Sequence, residues 1–173
     1  MKIAFVTTPE KGGIDILLSG IASRLQAEGV PLAGIVKDLD HDSRFANGCD
    51  MKVRVLPAGP VIKITQDLGA GSDACRLDPG AIAEAVMRVE AGNLEGAKMF
   101  ILNKFGPEEA AGRGFCAAIG TALEAGIPVL VGVSRANMDA FDAFSGGLAT
   151  ALAPQPETVL NWARAAVTSD APA

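Results

Sequence analysis

Residues 2–13, KIAFVTTPEKGG, followed by residues 14–29, IDILLSGIASRLQAEG, decide how this chain is read. Residues 2–8 form an apolar, partly β-branched run of strand length that stops at a proline. Residues 9–13 are a Pro- and Gly-rich loop. Residues 14–29 place apolar side chains at helical spacing and end on Gly29, a residue suited to a helix C-terminus. Strand, glycine loop and helix in that order make an anion cradle, because the loop and the helix start both present backbone N–H groups. In the pattern G-x-x-x-x-G-K-[ST], the lysine neutralises phosphate and the hydroxyl binds Mg²⁺. With Gly13 set on the last glycine, Thr8 takes the place of the first, Ile14 replaces the lysine and Asp15 replaces the Ser/Thr. Lys11 and Gly12 complete the loop, with Lys11 as its charge. An ordinary glycine-rich turn remains the alternative. Asp15 is open too: it complements the helix dipole, holds a cation or repels phosphate.

Working outward, strand-like and helix-like runs alternate. Residues 32–37 (LAGIVK), 98–102 (KMFIL) and 128–133 (PVLVGV) read as buried strands, with 148–152 as a last one. Residues 79–91, 107–126, 138–144 and 157–168 read as helices, the first with Asp78 as N-cap and Pro79 in its first turn. Residues 51–56 and 61–65 flank a Pro-Ala-Gly-Pro turn and read as an antiparallel hairpin. Residues 38–50 and 66–78 read as irregular. This predicts an α/β fold: a mostly parallel sheet with helices on both faces and an inserted β-hairpin. The expected organisation is one domain over residues 1–168, with the hairpin at 51–65 as an insertion and 169–173 as a tail.

Of 173 residues, 49% are hydrophobic and 20% charged, the balance of a globular chain. The net charge of −5 argues against a nucleic-acid partner, which would need a basic stripe. No apolar run approaches the ~18 residues of a membrane span, and the N-terminus lacks a signal-peptide pattern. Three cysteines without a secretory context lead us to expect reduced thiols and a cytoplasmic location.

In open α/β sheets, ligands bind beyond the carboxyl ends of the strands. Polar residues crowd that edge: Thr7 to Asp15 after the first strand; Asp38, Asp40, His41 and Asp42 after the second; Asn103, Lys104, Gly106 and Glu109 after 98–102; Ser134 and Arg135 after 128–133.

The run Asn103-Lys104-Phe105-Gly106-Pro107-Glu108-Glu109, followed by Gly112-Arg113-Gly114-Phe115, resembles the motif of a bacterial family of unknown function. Cys49-Asp50-Met51, Gln66-Asp67-Leu68-Gly69, Cys75-Arg76-Leu77-Asp78-Pro79 and Gly126-Ile127-Pro128-Val129-Leu130 fit it as well. That family stands near the thermophile nucleoside-triphosphatases of the P-loop class, and its genes or domains are often associated with molybdate transport. The resemblance implies a three-layer P-loop-NTPase-like fold. It also implies that Asn103 replaces an Mg²⁺-associated Asp and that Lys104 replaces a catalytic Glu, while Glu109 keeps its place. A cation at Lys104 can offset anion charge but cannot activate water as a carboxylate does.

The resulting phosphate- or anion-binding set is Thr8, Lys11, Gly12, Gly13, Ile14, Asp15, Asn103 and Lys104, with Lys104 and Glu109 as catalytic candidates. The expected ligand is a nucleotide, phosphate or oxyanion such as molybdate, with Mg²⁺ left open and hydrolysis weak or absent. Glu109 and Arg113, four apart, read as a surface ion pair. Cys49 and Cys75 flank the hairpin and, with His41, form a candidate soft-metal site. Disulfide or structural thiols are the alternatives. Cys116 and the aromatic residues Phe141, Phe144 and Trp162 read as packing residues. The hairpin could also pair two subunits edge to edge.

Overall fold

The computed structural model describes residues 1–40, 51–66, 76–92 and 94–169. Along the chain run β1 (Ile3–Val6), α1 (Gly13–Ala27), β2 (Leu32–Lys37), β3 (Lys52–Val55), β4 (Val61–Lys63), β5 (Thr65–Gln66) and β6 (Arg76–Leu77). Then follow α2 (Pro79–Ala91), β7 (Met99–Phe105), α3 (Pro107–Ala110), α4 (Cys116–Glu124), β8 (Val129–Val133), α5 (Met138–Ser145), β9 (Thr150–Leu152) and α6 (Pro156–Thr168).

Seven strands form one sheet in the order β4-β3-β2-β7-β8-β1-β9. The five from β2 to β9 are parallel. The apolar runs that read as buried strands lie at its centre. β7 and β8 are buried along nearly their whole length, as strands covered on both faces must be. Two separate apolar clusters sandwich the sheet. One packs α1 and α6 through Leu18, Ile21, Leu25, Leu160 and Ala163. The other packs α2, α4 and α5 through Ile82, Ala85, Ile119 and Phe141. The layers are therefore helix, sheet, helix. The rings of Phe5 and Phe105 meet Phe141 edge-on, each at 5.3 Å.

Four expectations change. The predicted helix over 107–126 is two helices, α3 and α4, broken where Gly112 and Gly114 take φ of 75° and 57°. The strand predicted to end at Leu102 continues to Phe105, across a register shift against β8. The hairpin is no free projection: β3 pairs antiparallel with β2 and extends the main sheet, leaving β4 as its edge. Part of the stretch read as irregular forms a small ribbon, β5 with β6. Asp78 caps α2 as expected, accepting from the N–H groups of Gly80 and Ala81. No described helix is long and apolar enough to cross a membrane.

Candidate functional site

β1 and β8 are neighbours, but the chain leaves them in opposite directions. From β1 it passes through α1 to β2; from β8 it passes through α5 to β9 on the far side of β1. α1 and α5 also pack on opposite faces of the sheet. In open α/β sheets such a change of direction marks a crevice at the carboxyl ends of the strands. Here the crevice is a space of about 310 Å³. Its walls come from the loop and first turn of α1 (Thr8, Glu10, Lys11, Gly12, Ile14, Asp15), from Lys104 on β7, and from Ser134 and Arg135 after β8.

The loop conformation follows from its sequence. Gly12 caps α1 at φ 79°, a left-handed conformation that favours glycine, and offers no side-chain cap to the helix start. A Cβ on Gly13 would stand 2.7 Å from the Thr8 hydroxyl, so only glycine lets the loop close on β1. The Glu10 carbonyl gathers the turn, accepting from the Thr8 hydroxyl at 3.1 Å and from the Gly13 N–H at 3.2 Å. The first-turn amides of α1 begin at this loop, as in an anion-binding helix start.

Ile14 is buried among the residues packed under α1. A Cβ on Gly132 would collide with the Ile14 side chain and the Asn103 carbonyl, so β8 comes close only because that residue is glycine. Ile14 thus gives the crevice an apolar wall.

Asp15 is 4% exposed and fully engaged. Its Oδ1 accepts from the Asn103 side-chain amide at 2.8 Å, and its Oδ2 lies 3.3 Å from the Lys37 ammonium. Asn103, also buried, accepts the Lys37 backbone N–H on its Oδ1 at 3.1 Å. The three side chains tie α1 to β7 and β2 and neutralise the carboxylate. Asn103 therefore stands behind Asp15 and does not itself line the crevice. Lys37 had no signal in the sequence beyond closing a strand. Ser134 and Arg135 had one, their place after β8.

Glu109 is buried, and both oxygens serve the protein. One accepts from the Gly106 N–H at 2.9 Å and the other from the Phe115 N–H at 3.0 Å. This carboxylate folds the loop between β7 and α4. The predicted Glu109–Arg113 pair is corrected: Arg113 forms a two-point ion pair with Glu108, at 2.8 and 3.1 Å. Hydrogen bonding from that guanidinium holds the Glu108 carboxyl below its ordinary range. Asp38 and Asp40, expected at the ligand edge, pair instead with Arg54. Lys104 is exposed, with no ion pair among the described residues.

Half-buried Cys116 donates its thiol to the Glu109 carbonyl at 3.3 Å. Burial first, and the Glu109 charge second, push its pKa up, which lowers the thiolate fraction. In a Cys49→Ser/Cys75→Ser background, Cys116 should react with a disulfide reagent at pH 7.5 at least about tenfold more slowly than free cysteine. A rate equal to free cysteine would contradict the burial. Cys49, Cys75 and His41 lie outside the described residues. Among those described, no three His, Cys, Asp or Glu side chains cluster as metal ligands would.

On the other face of the sheet, beside the crevice, lies a second space of about 120 Å³ under α2 and the Glu109-folded loop. Ile35, Ile82, Ala85, Leu102 and Phe115 form its walls.

Residues 3–162 match a family described as "Protein of unknown function (DUF2478)". The chain belongs to that family. It is 32% identical over 165 residues to the molybdenum import ATP-binding protein ModC 2 of Bradyrhizobium diazoefficiens, a match covering 94% of this chain and 18% of that protein. The chain thus spans less than a fifth of that relative. Two solved structures share its architecture. One is the solution structure of a human cancer-related nucleoside triphosphatase, with TM-score 0.61, 14% identity and coverage of 98% of this chain and 97% of the other. The second is THEP1 from the hyperthermophile Aquifex aeolicus, with TM-score 0.62, 14% identity and 91% of each chain covered. The α/β fold of the P-loop NTPase type, expected from the sequence, is the fold observed.

Mg²⁺, which that fold class implies, does not fit these residues. The Asp15 carboxylate is taken up by the Asn103 amide and the Lys37 ammonium. Asn103 is an amide and not an acid, and its oxygen takes the Lys37 N–H. No carboxylate in the crevice is both free and buried.

Proposed function

We propose that this protein binds a phosphate-bearing ligand, a nucleotide or simpler phosphate, in the crevice between β1 and β8, and turns it over weakly or not at all. The observation that carries the reading is the composition of the crevice. A glycine loop at a helix start is ringed by Lys11, Lys104 and Arg135. The amides and three cations suit a polyanion. The groups that would activate water are replaced: Lys104 holds charge where a carboxylate base would stand, and the Glu109 carboxylate belongs to the loop.

Calorimetric titration with ATP, GTP, inorganic phosphate and molybdate tests binding. At least one should bind, and Lys11→Ala combined with Arg135→Ala should weaken it roughly tenfold, through lost charge. No heat and no thermal shift with any of the four would remove the reading. Phosphate release from ATP should fall far below the ~1–100 s⁻¹ typical of kinases, and Lys104→Glu should raise it. Turnover on that scale in the unmodified protein would mean the loop has been aligned wrongly.

A second reading draws on the ModC 2 relative: the same cradle binds an oxyanion such as molybdate and serves molybdenum handling without catalysis. Tighter binding of molybdate than of phosphate or ATP in the same titration would favour it.

A further inference from the structure

We propose that the crevice is one half of a two-part site, and that the neighbouring 120 Å³ space receives a single aromatic ring carried by the phosphate-bearing ligand. This rests on the phosphate reading and names the ligand class: a phosphate ester of a small, one-ring aromatic alcohol.

Lys104 joins the two spaces. It lines both the crevice and the apolar cavity, and it is the cation that stands between them. An anionic group beside Lys104 therefore has amides and cations on one side and an apolar hollow on the other. The hollow is built for an uncharged group. Its walls, Leu102, Ala85, Phe115 and Ile82, are 8% exposed or less.

The polar groups at its margin are already satisfied. The Asn103 amide is held by Asp15 and Lys37, the Glu109 carboxylate by two backbone N–H groups, and Glu108 by Arg113. None of them calls for a polar ligand atom. Ligand sites commonly have this make-up: apolar walls with few polar groups to fix orientation. The size sets the ring count. Dry apolar cavities of about 150 Å³ accept benzene. A hollow of about 120 Å³ is of the same scale, that of one ring.

The test uses inorganic phosphate, phenyl phosphate, benzyl phosphate and 2-phenylethyl phosphate, a series of increasing reach. At least one aryl ester should bind tenfold or more tighter than inorganic phosphate. It should also shift the methyl NMR signals of Ala85 and Ile82, which inorganic phosphate leaves in place. Ala85→Leu, which fills the hollow, should abolish the gain and leave phosphate affinity unchanged. If that variant does not fold, the methyl shifts in the unmodified protein decide. Aryl esters that bind no tighter than phosphate and leave both methyls unmoved overturn the two-part site. Absence of phosphate binding, with the methyls still moved by an aryl ester, overturns the phosphate reading and leaves the cavity assignment standing.

Discussion

Glu109→Ala is expected to destabilise the protein by about 3–6 kcal/mol, two charge-assisted hydrogen bonds at about 1.5–3 kcal/mol each. The N–H groups of Gly106 and Phe115 would be stranded in a buried loop. For a chain of this length that is roughly 6–24 °C in melting temperature. Glu109→Gln should cost less than Ala, because one amide oxygen can still accept. It should not match the parent, because its NH₂ would face the second N–H donor. Thermal unfolding of the three proteins is the check. A melting temperature for Glu109→Ala within 2 °C of the parent, on the same ~1 kcal/mol scale, would show that the loop does not depend on this carboxylate. The same unfolding would open the apolar cavity, since Glu108, Glu109 and Phe115 line it.

Lys37→Met is expected to act on both stability and binding. Removing one partner of a buried ion pair costs about 3–5 kcal/mol. The Lys37 side chain is 32% exposed, so water moderates the loss and about 2 kcal/mol is expected. Asp15, left with only the Asn103 amide, would keep a bare charge in the crevice wall. With an effective dielectric near 20, an uncompensated charge in the crevice wall contributes on the order of 1.4 kcal/mol, roughly a tenfold loss of anion affinity. The double variant Lys37→Met/Asp15→Asn should recover most of both losses, because the stranded charge is gone. Additive losses in the double variant would refute the neutralising role of Lys37.

The sequence by itself determined the sheet and the edge of it at which polar residues gather. The run 2–8, the glycines at 12 and 13 and the helical period after them fixed strand, loop and helix in order, because each signal is local: burial on both faces, a left-handed cap, a 3.6-residue repeat. The strand ends then located the polar edge. What the sequence could not assign was the use of each charge. Glu109 lies four residues from Arg113, yet it turns inward to two amides, because Gly112 and Gly114 break the helix on which that pairing would depend. Asp15 reads as a ligand or a dipole partner until Lys37 and Asn103, 22 and 88 residues away, arrive on its two oxygens. The cavity under α2 is invisible in the sequence for the same reason. Its walls come from separate elements, and only the packing of β2, β3, β6, β7, α2, α3 and the loop before α4 leaves a space between them.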